Sequence, residues 1–342
     1  MGDAVKAPLP KMRSVSVSEP QARLAVRNCE DLVGLVPYLI GFHPVDSLVT
    51  IVLEEGCVVV TARVDLVAVT EPDGLASLLG RLFDRFPRAD CWFLAYTDDA
   101  SLAWSVLGGC VGIMGALRGA KLIQVGSLWW RAESPEGPTG RVSVSASAAE
   151  AAVLGMPALP SREALADRIV GPPQADVDDL RARFTSGQVE IERIGARGRR
   201  RLLTRLLASA SPPAVGDCVR LALLVERPEG QVLTLRGLSR RNAEAQVALW
   251  TTVIRHCLID YQPAPLGLLG MAAWQTGDGA LQMVCLERME RLAPRTPIGA
   301  VIEVLNTEVV PPSHWAGLRE HVAAALEAEL TVAGRPASPH HR

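Results

Sequence analysis

The stretch Asp31–Leu66, DLVGLVPYLIGFHPVDSLVTIVLEEGCVVVTARVDL, decides the fold. Leu32, Val33, Leu35, Val36, Leu39 and Ile40 fall at helical spacing and give one apolar face. Asn28 stands where an N-cap belongs, Glu30 and Asp31 suit the positive end of the first turn, and Gly41 suits the left-handed residue that closes a helix. Pro37 costs roughly 3 kcal/mol in a helix interior, so the spacing predicts a kink there or a second helix starting at Pro37. After the turn-rich Phe42–Asp46, Ser47–Leu53 is almost continuously apolar, as a central strand is. Glu55-Gly56 reads as a hairpin turn. Val60, Ala62, Val64 and Leu66 then alternate with polar residues, the period of a strand with one buried face.

Working outward, Ala22–Val26 is a short strand candidate ahead of this stretch. Behind it, Leu75, Leu78, Leu79, Leu82, Phe83 and Phe86 form an amphipathic helix. Cys91–Tyr96 reads as a buried strand, and Asp98 or Asp99 caps a helix whose apolar face is Leu102, Ala103, Val106, Leu107, Cys110, Ile113 and Met114. Lys121–Trp130 reads as the next strand, Glu133–Gly140 as a turn and Arg141–Val144 as an edge strand. Strands alternating with helices, plus a hairpin, imply an α/β fold: a mixed sheet with helices on it.

Beyond Ser145 strand signals nearly vanish. Ser147, Ser161 and Asp176 cue helices, and Gln188–Ser209, Ala214–Val225, Ala243–Ile259, Leu266–Gln275, Gly279–Leu292 and His314–Leu330 complete an all-α region. Pro212-Pro213, Pro228, Pro263, Pro265, Pro294, Pro297 and Pro311-Pro312 read as its connections. Ala272–Val301 resembles one tetratricopeptide-type helix pair and reads as a local helical hairpin. The resulting division is a disordered N-terminus over 1–19, an α/β domain over 20–145, a helical domain over 146–332 and a disordered tail over 333–342. Gly171-Pro172-Pro173 and Ser134–Gly140 are the competing hinges.

A net charge of −2 from 35 basic and 37 acidic residues argues against a chain-wide nucleic-acid or membrane-surface role. Seven Cys without CxxC or Cys/His spacing read as small hydrophobes in a reducing, cytoplasmic compartment. No apolar run reaches about 18 residues, so no membrane span is expected. No GxGxxG or GxxxxGK[ST] follows a strand, and no metal or cofactor is expected.

Chemistry has few places to reside. His43, Asp46 and Ser47 share one loop before a buried strand. They read either as a ligand loop or as backbone-bonding loop residues, since triad members come together from separate segments. Asp98 and Asp99 stand at the carboxyl end of a strand, where α/β sheets bind ligands, or serve only as caps. Arg193, Arg197, Arg201 and Arg205 recur every fourth residue. On one helix that is a basic stripe, either solvated beside Glu190 and Glu192 or facing an acidic protein, with a nucleic-acid backbone as the lesser reading. Of the paired Trp129 and Trp130, one must point away from the core, either to a partner or under the helical half. Two functions follow: a non-enzymatic binding or adaptor protein with a protein partner, or an enzyme or small-molecule sensor with a pocket at the carboxyl edge of the sheet.

LVGLVPYLIGFHPVDSLVTIVL (residues 32–53), with TARVDL, FLAYTDD and the distant APLGLLGMAAWQTGDGAL, resembles the domain of unknown function 4192 family of actinobacteria. The resemblance spans about Ala22 to Pro312 and implies a cytoplasmic protein of one shared architecture, with no activity or catalytic residue to carry over. Relatives often hold a small Cys cluster after the Trp-bearing strand, whereas Ala132–Gly140 has none.

Overall fold

The structure, a computed structural model, describes residues 26–71, 73–114 and 119–333. Residues 1–19, the strand candidate up to residue 25 and the tail from residue 334 lie outside it.

Helix α1 (Cys29–Ile40) is closed as its sequence predicts: the Asn28 side chain accepts from the Asp31 N–H at 2.8 Å, and Gly41 takes φ 84°. It runs through Pro37 as one helix, without a second start. The reason is packing. Leu32, Val33, Leu35, Val36, Pro37 and Ile40 are buried. At about 1.5–3 kcal/mol per large side chain, that exceeds the roughly 3 kcal/mol Pro37 costs.

Strands β1 (Ser47–Glu54) and β2 (Cys57–Asp65) form the expected hairpin, with Glu55 at φ 51° and Gly56 at φ 75°. Positive φ at both turn residues is the conformation that matches the twist of the paired strands. The strand ends at Asp65, because Leu66 opens the short helix α2 (Leu66–Thr70), which the alternation does not show. Helix α3 (Gly74–Arg85), β3 (Asp90–Tyr96), α4 (Ala100–Met114) and β4 (Ala120–Val125) follow.

The single strand expected over Lys121–Trp130 is in fact two. The chain turns at Gly126, whose N–H donates to the Trp129 carbonyl at 2.8 Å, and returns as β5 (Trp129–Ala132). A Cβ at Gly126 would lie 2.4 Å from Asp98 Oδ1 and 2.5 Å from the Trp129 ring, so only glycine fits. The edge strand is β6 (Thr139–Arg141), earlier than the expected Arg141–Val144. The sheet order is β2-β1-β3-β4-β5-β6, with β3 and β4 parallel and every other pair antiparallel.

Each face of the sheet has its own core. On one, Leu48, Val52, Cys91, Phe93 and Ala95 pack with Leu79, Leu82, Phe83, Leu107 and Cys110 of α3 and α4. On the other, Val49, Ile51, Leu94, Ile123 and Val125 pack with α1, and the same cluster continues without a break through the helices that follow.

Those helices are α5 (Ala146–Val153), α6 (Arg162–Ala166), α7 (Val177–Arg193), α8 (Ala196–Leu207), α9 (Val215–Val225), α10 (Pro228–Gly237), α11 (Ala243–Arg255), α12 (Pro263–Thr276), α13 (Gly279–Leu292), α14 (Pro297–Thr307) and α15 (Trp315–Ala333). Three expectations need correction. Ser145, not Ser147, caps α5 through the Ala148 N–H. The helix expected over Gln188–Ser209 breaks at Ile194-Gly195. Helices α10 and α14 stand where the sequence suggests connections, because each begins with a proline; at the first helical position a proline gives up no bond and its fixed φ suits the helix. At the centre lies α12, buried from Pro265 to Gln275 and joined to α13 through Gly277 (φ 85°) and the N-cap Asp278. Trp274 and Trp315 meet edge-on at 5.9 Å nearby.

Candidate functional site

The carboxyl end of the sheet gathers the residues singled out before β1 and after β3. Ser47 is the register partner of both Asp65 and Tyr96, so the 43–46 loop and the 97–99 segment leave the sheet at the same end. The side chains there are already engaged. Ser47 is fully buried; its hydroxyl donates to the Val45 carbonyl and accepts from Arg63 Nε at 2.8 Å. Arg63 continues to Asp65 at 2.6 Å and lies over the Phe42 ring. Asp46 holds φ 43° and its carbonyl accepts from Leu66 N–H at 2.8 Å. His43 is exposed, and its backbone N–H donates to the Leu159 carbonyl at 2.9 Å, fastening the loop to the chain ahead of α6. Asp99 caps α4 through the Leu102 N–H at 3.0 Å. Asp98 accepts from the Ser127 N–H at 3.1 Å and so braces the β4–β5 turn.

Behind these residues, Gln124 is fully buried and satisfied, donating to the Thr97 carbonyl and accepting from Trp104 Nε1. The sheet's other face differs. Tyr96 Oη and Trp130 Nε1 are buried and make no hydrogen bond among the described residues. Tyr96 and Trp130 are both register partners of Val125, so they occupy the same row. Burial holds the Tyr96 phenol far above its ordinary pKa, so it stays protonated.

The two indoles are both half-buried. Trp130 packs against the core under the helical region and lies against Gly140 of β6. Trp129 points to the opposite face, against Gly126 and beneath the Arg131 guanidinium. The residue fully presented at this turn is Leu128, 76% exposed, which pattern reading passes over.

The arginines do not form one continuous stripe. Arg193 ends α7, while Arg197, Arg201 and Arg205 lie on α8 opposite the buried Leu203 and Leu206. All four are exposed, and none makes an ion pair among the described residues. Glu190, expected as a partner for this stripe, instead pairs with Arg220 at 3.0 Å.

A further surface is not visible in the sequence. Between α14 and α15 runs a groove of about 300 Å³ lined by Val301, Val304, Leu305, Val310, Leu318 and Val322, with His321 beside it. Val304 is 53% exposed within it. The apolar spacing of α14 signals a buried face, but only the placement of α15 shows which part stays open.

Among the described residues, no three His, Cys, Asp or Glu side chains gather as metal ligands, and no helix is long and apolar enough to cross a membrane. All seven cysteines are unbridged. Burial pushes the Cys110 and Cys218 thiols up to about 12, which keeps them protonated and inert.

The fold defines a protein with a mixed six-stranded sheet sandwiched between a small helical layer and a large helical region. The model of one family, described as a domain of unknown function (DUF4192), matches residues 30–313, and the chain belongs to that family. No curated protein and no solved structure matches the chain.

Proposed function

We propose that this chain is a non-enzymatic binding protein that holds a helix of a protein partner in the groove between α14 and α15. The carrying observation is the groove itself: an open, apolar channel between two helices, with Val304 half in solvent. Such a channel suits an amphipathic helix presenting apolar residues at i, i+3, i+4 and i+7. The exposed carboxylates Glu303 and Glu308 on and beyond α14 favour a partner helix with basic flanks. The engaged state of Ser47, Asp98 and Asp99 supports the reading, since those side chains are occupied in bracing turns and caps. A cytoplasmic location is part of the proposal, supported by seven unbridged thiols.

The test is capture from native lysate with the wild-type chain and with Val304→Glu, which adds a charge at a position already 53% exposed, the variant's fold being checked by its urea midpoint. A protein retained by the wild type and lost by the variant supports the groove. A protein retained equally by both rejects the groove, and an empty capture with both rejects the binding reading. The second reading, a small-molecule site at the sheet end, is favoured by the unbonded Tyr96 Oη and Trp130 Nε1. A ligand that shifts the Trp130 indole N–H resonance in an NMR titration would support it.

A further inference from the structure

A second cavity, of about 200 Å³, opens where the end of α9 meets the starts of α12 and α14. Its polar wall is Glu226, Gln231, Asp260 and Tyr261; its apolar wall includes Pro297 and Ile298. Two observations mark it as built for a ligand. Gln231 is only 7% exposed, yet its side-chain amide makes no hydrogen bond among the described residues and borders the cavity. The amide's polar atoms are not sealed in, and the cavity that Gln231 borders is where a ligand group meets its unmatched donors and acceptor. Second, neither Glu226 nor Asp260 makes an ion pair among the described residues.

The local charge decides what fits. Two carboxylates contribute about two negative charges. The starts of α12 and α14, which border the cavity, each present roughly half a positive charge. Their sum leaves a negative site. Burial holds the Glu226 carboxyl above its ordinary range although Arg227 pulls the other way. Burial also raises the Tyr261 phenol, helped by Glu226 and Asp260, so both carboxylates act on the same spot.

We propose that this cavity binds an alkyl ammonium or guanidinium group: the cationic head sits between Glu226 and Asp260 with Gln231 accepting, and the aliphatic stem lies along Tyr261, Pro297 and Ile298. Pro297 also lines the groove between α14 and α15, so a basic side chain of a partner helix and a free amine both reach the site. The inference stands without the groove reading.

The experiment is calorimetric titration of the full chain with agmatine, butanol, butyrate and magnesium ion, repeated with Glu226→Gln and Asp260→Asn. Agmatine alone among the four binds, and each substitution weakens it about fivefold, the upper range for a solvent-facing ion pair. In a parallel NMR titration with agmatine, the Gln231 side-chain amide resonance shifts. Binding of butyrate instead of agmatine, a magnesium ion that displaces agmatine, or agmatine binding indifferent to both substitutions overturns the proposal. The capped peptide acetyl-Leu-Arg-Leu-amide separates the sources. If it binds more tightly than agmatine, a partner's side chain is the natural occupant; if it fails where agmatine binds, a free amine is.

Discussion

Gly34 is where α1 lets α5 approach, and Gly34→Ala tests whether the sheet and the helical region share one core. A Cβ at Gly34 would lie 2.6 Å from Ser145 Oγ, 3.1 Å from Ser145 Cβ and 3.5 Å from Ala148 Cβ. Ser145 cannot swing aside freely, because it is 6% exposed and its hydroxyl caps α5 through the Ala148 N–H at 3.1 Å. Making room costs the cap, about 0.5–2 kcal/mol, and overpacks the contact by about 1–3 kcal/mol. Alanine returns about 1 kcal/mol in helix propensity. The net is a loss of about 0.5–4 kcal/mol. Urea unfolding followed by tryptophan fluorescence and far-ultraviolet circular dichroism reads it. Both signals shift to lower urea together, since the cluster around α1 runs on into the helices. Adding Ser145→Gly relieves the clash, so the double variant loses less than the sum of the two singles. A Gly34→Ala chain as stable as the wild type refutes the α1–α5 packing, and separated transitions refute the shared core.

Three further outcomes follow from local geometry. Gly80 lies inside α3 with nothing within 4 Å of where an alanine methyl would sit, so Gly80→Ala stabilises by about 0.4–1 kcal/mol in the same urea assay. Trp315 is 2% exposed and its Nε1 donates to the Leu238 carbonyl at 2.9 Å; Trp315→Phe strands that carbonyl and costs about 1–3 kcal/mol. Burial raises the Asp278 carboxyl, against the opposing pull of the Leu281 N–H and Arg168. Between the unfolded-state and the raised folded-state pKa the folded chain therefore holds a proton the unfolded chain has released, and the stability present below that window is lost as pH rises through the folded-state value. Asp278→Asn keeps the cap and removes that fall: urea midpoints of the two proteins agree in acid and the variant is higher at neutral pH. A variant less stable at neutral pH counts against the argument.

Legibility varies with how local the cause is. Asn28 and Gly41 bracket α1, Glu55-Gly56 makes its hairpin turn and Asp99 caps α4, all through bonds within a few residues. The Gly126 turn is hidden because an apolar run looks like one strand; what bends it is Asp98, 28 positions earlier, holding the Ser127 N–H. The starts of α10 and α14 are hidden because Pro228 and Pro297 look like loop residues, although a proline at the first helical position breaks no bond. For the candidate sites, the sequence names His43, Asp46, Ser47, Asp98 and Asp99 without showing that β1 and β3 bring their segments to one end of the sheet. It names the arginines without showing that Gly195 divides them between two helices.

By itself the sequence determined the class: a mixed sheet with helical cover followed by helices, because residue periods and capping residues act over a few positions. It also sufficed for the family. Only the tertiary structure decided that one core joins the sheet's second face to the helices, that α14 and α15 leave a groove, and that Glu226, Gln231 and Asp260 border one cavity. In that cavity Gln231 and Asp260 stand 29 positions apart in the chain. Which segments meet depends on how whole faces pack, and no residue period records that.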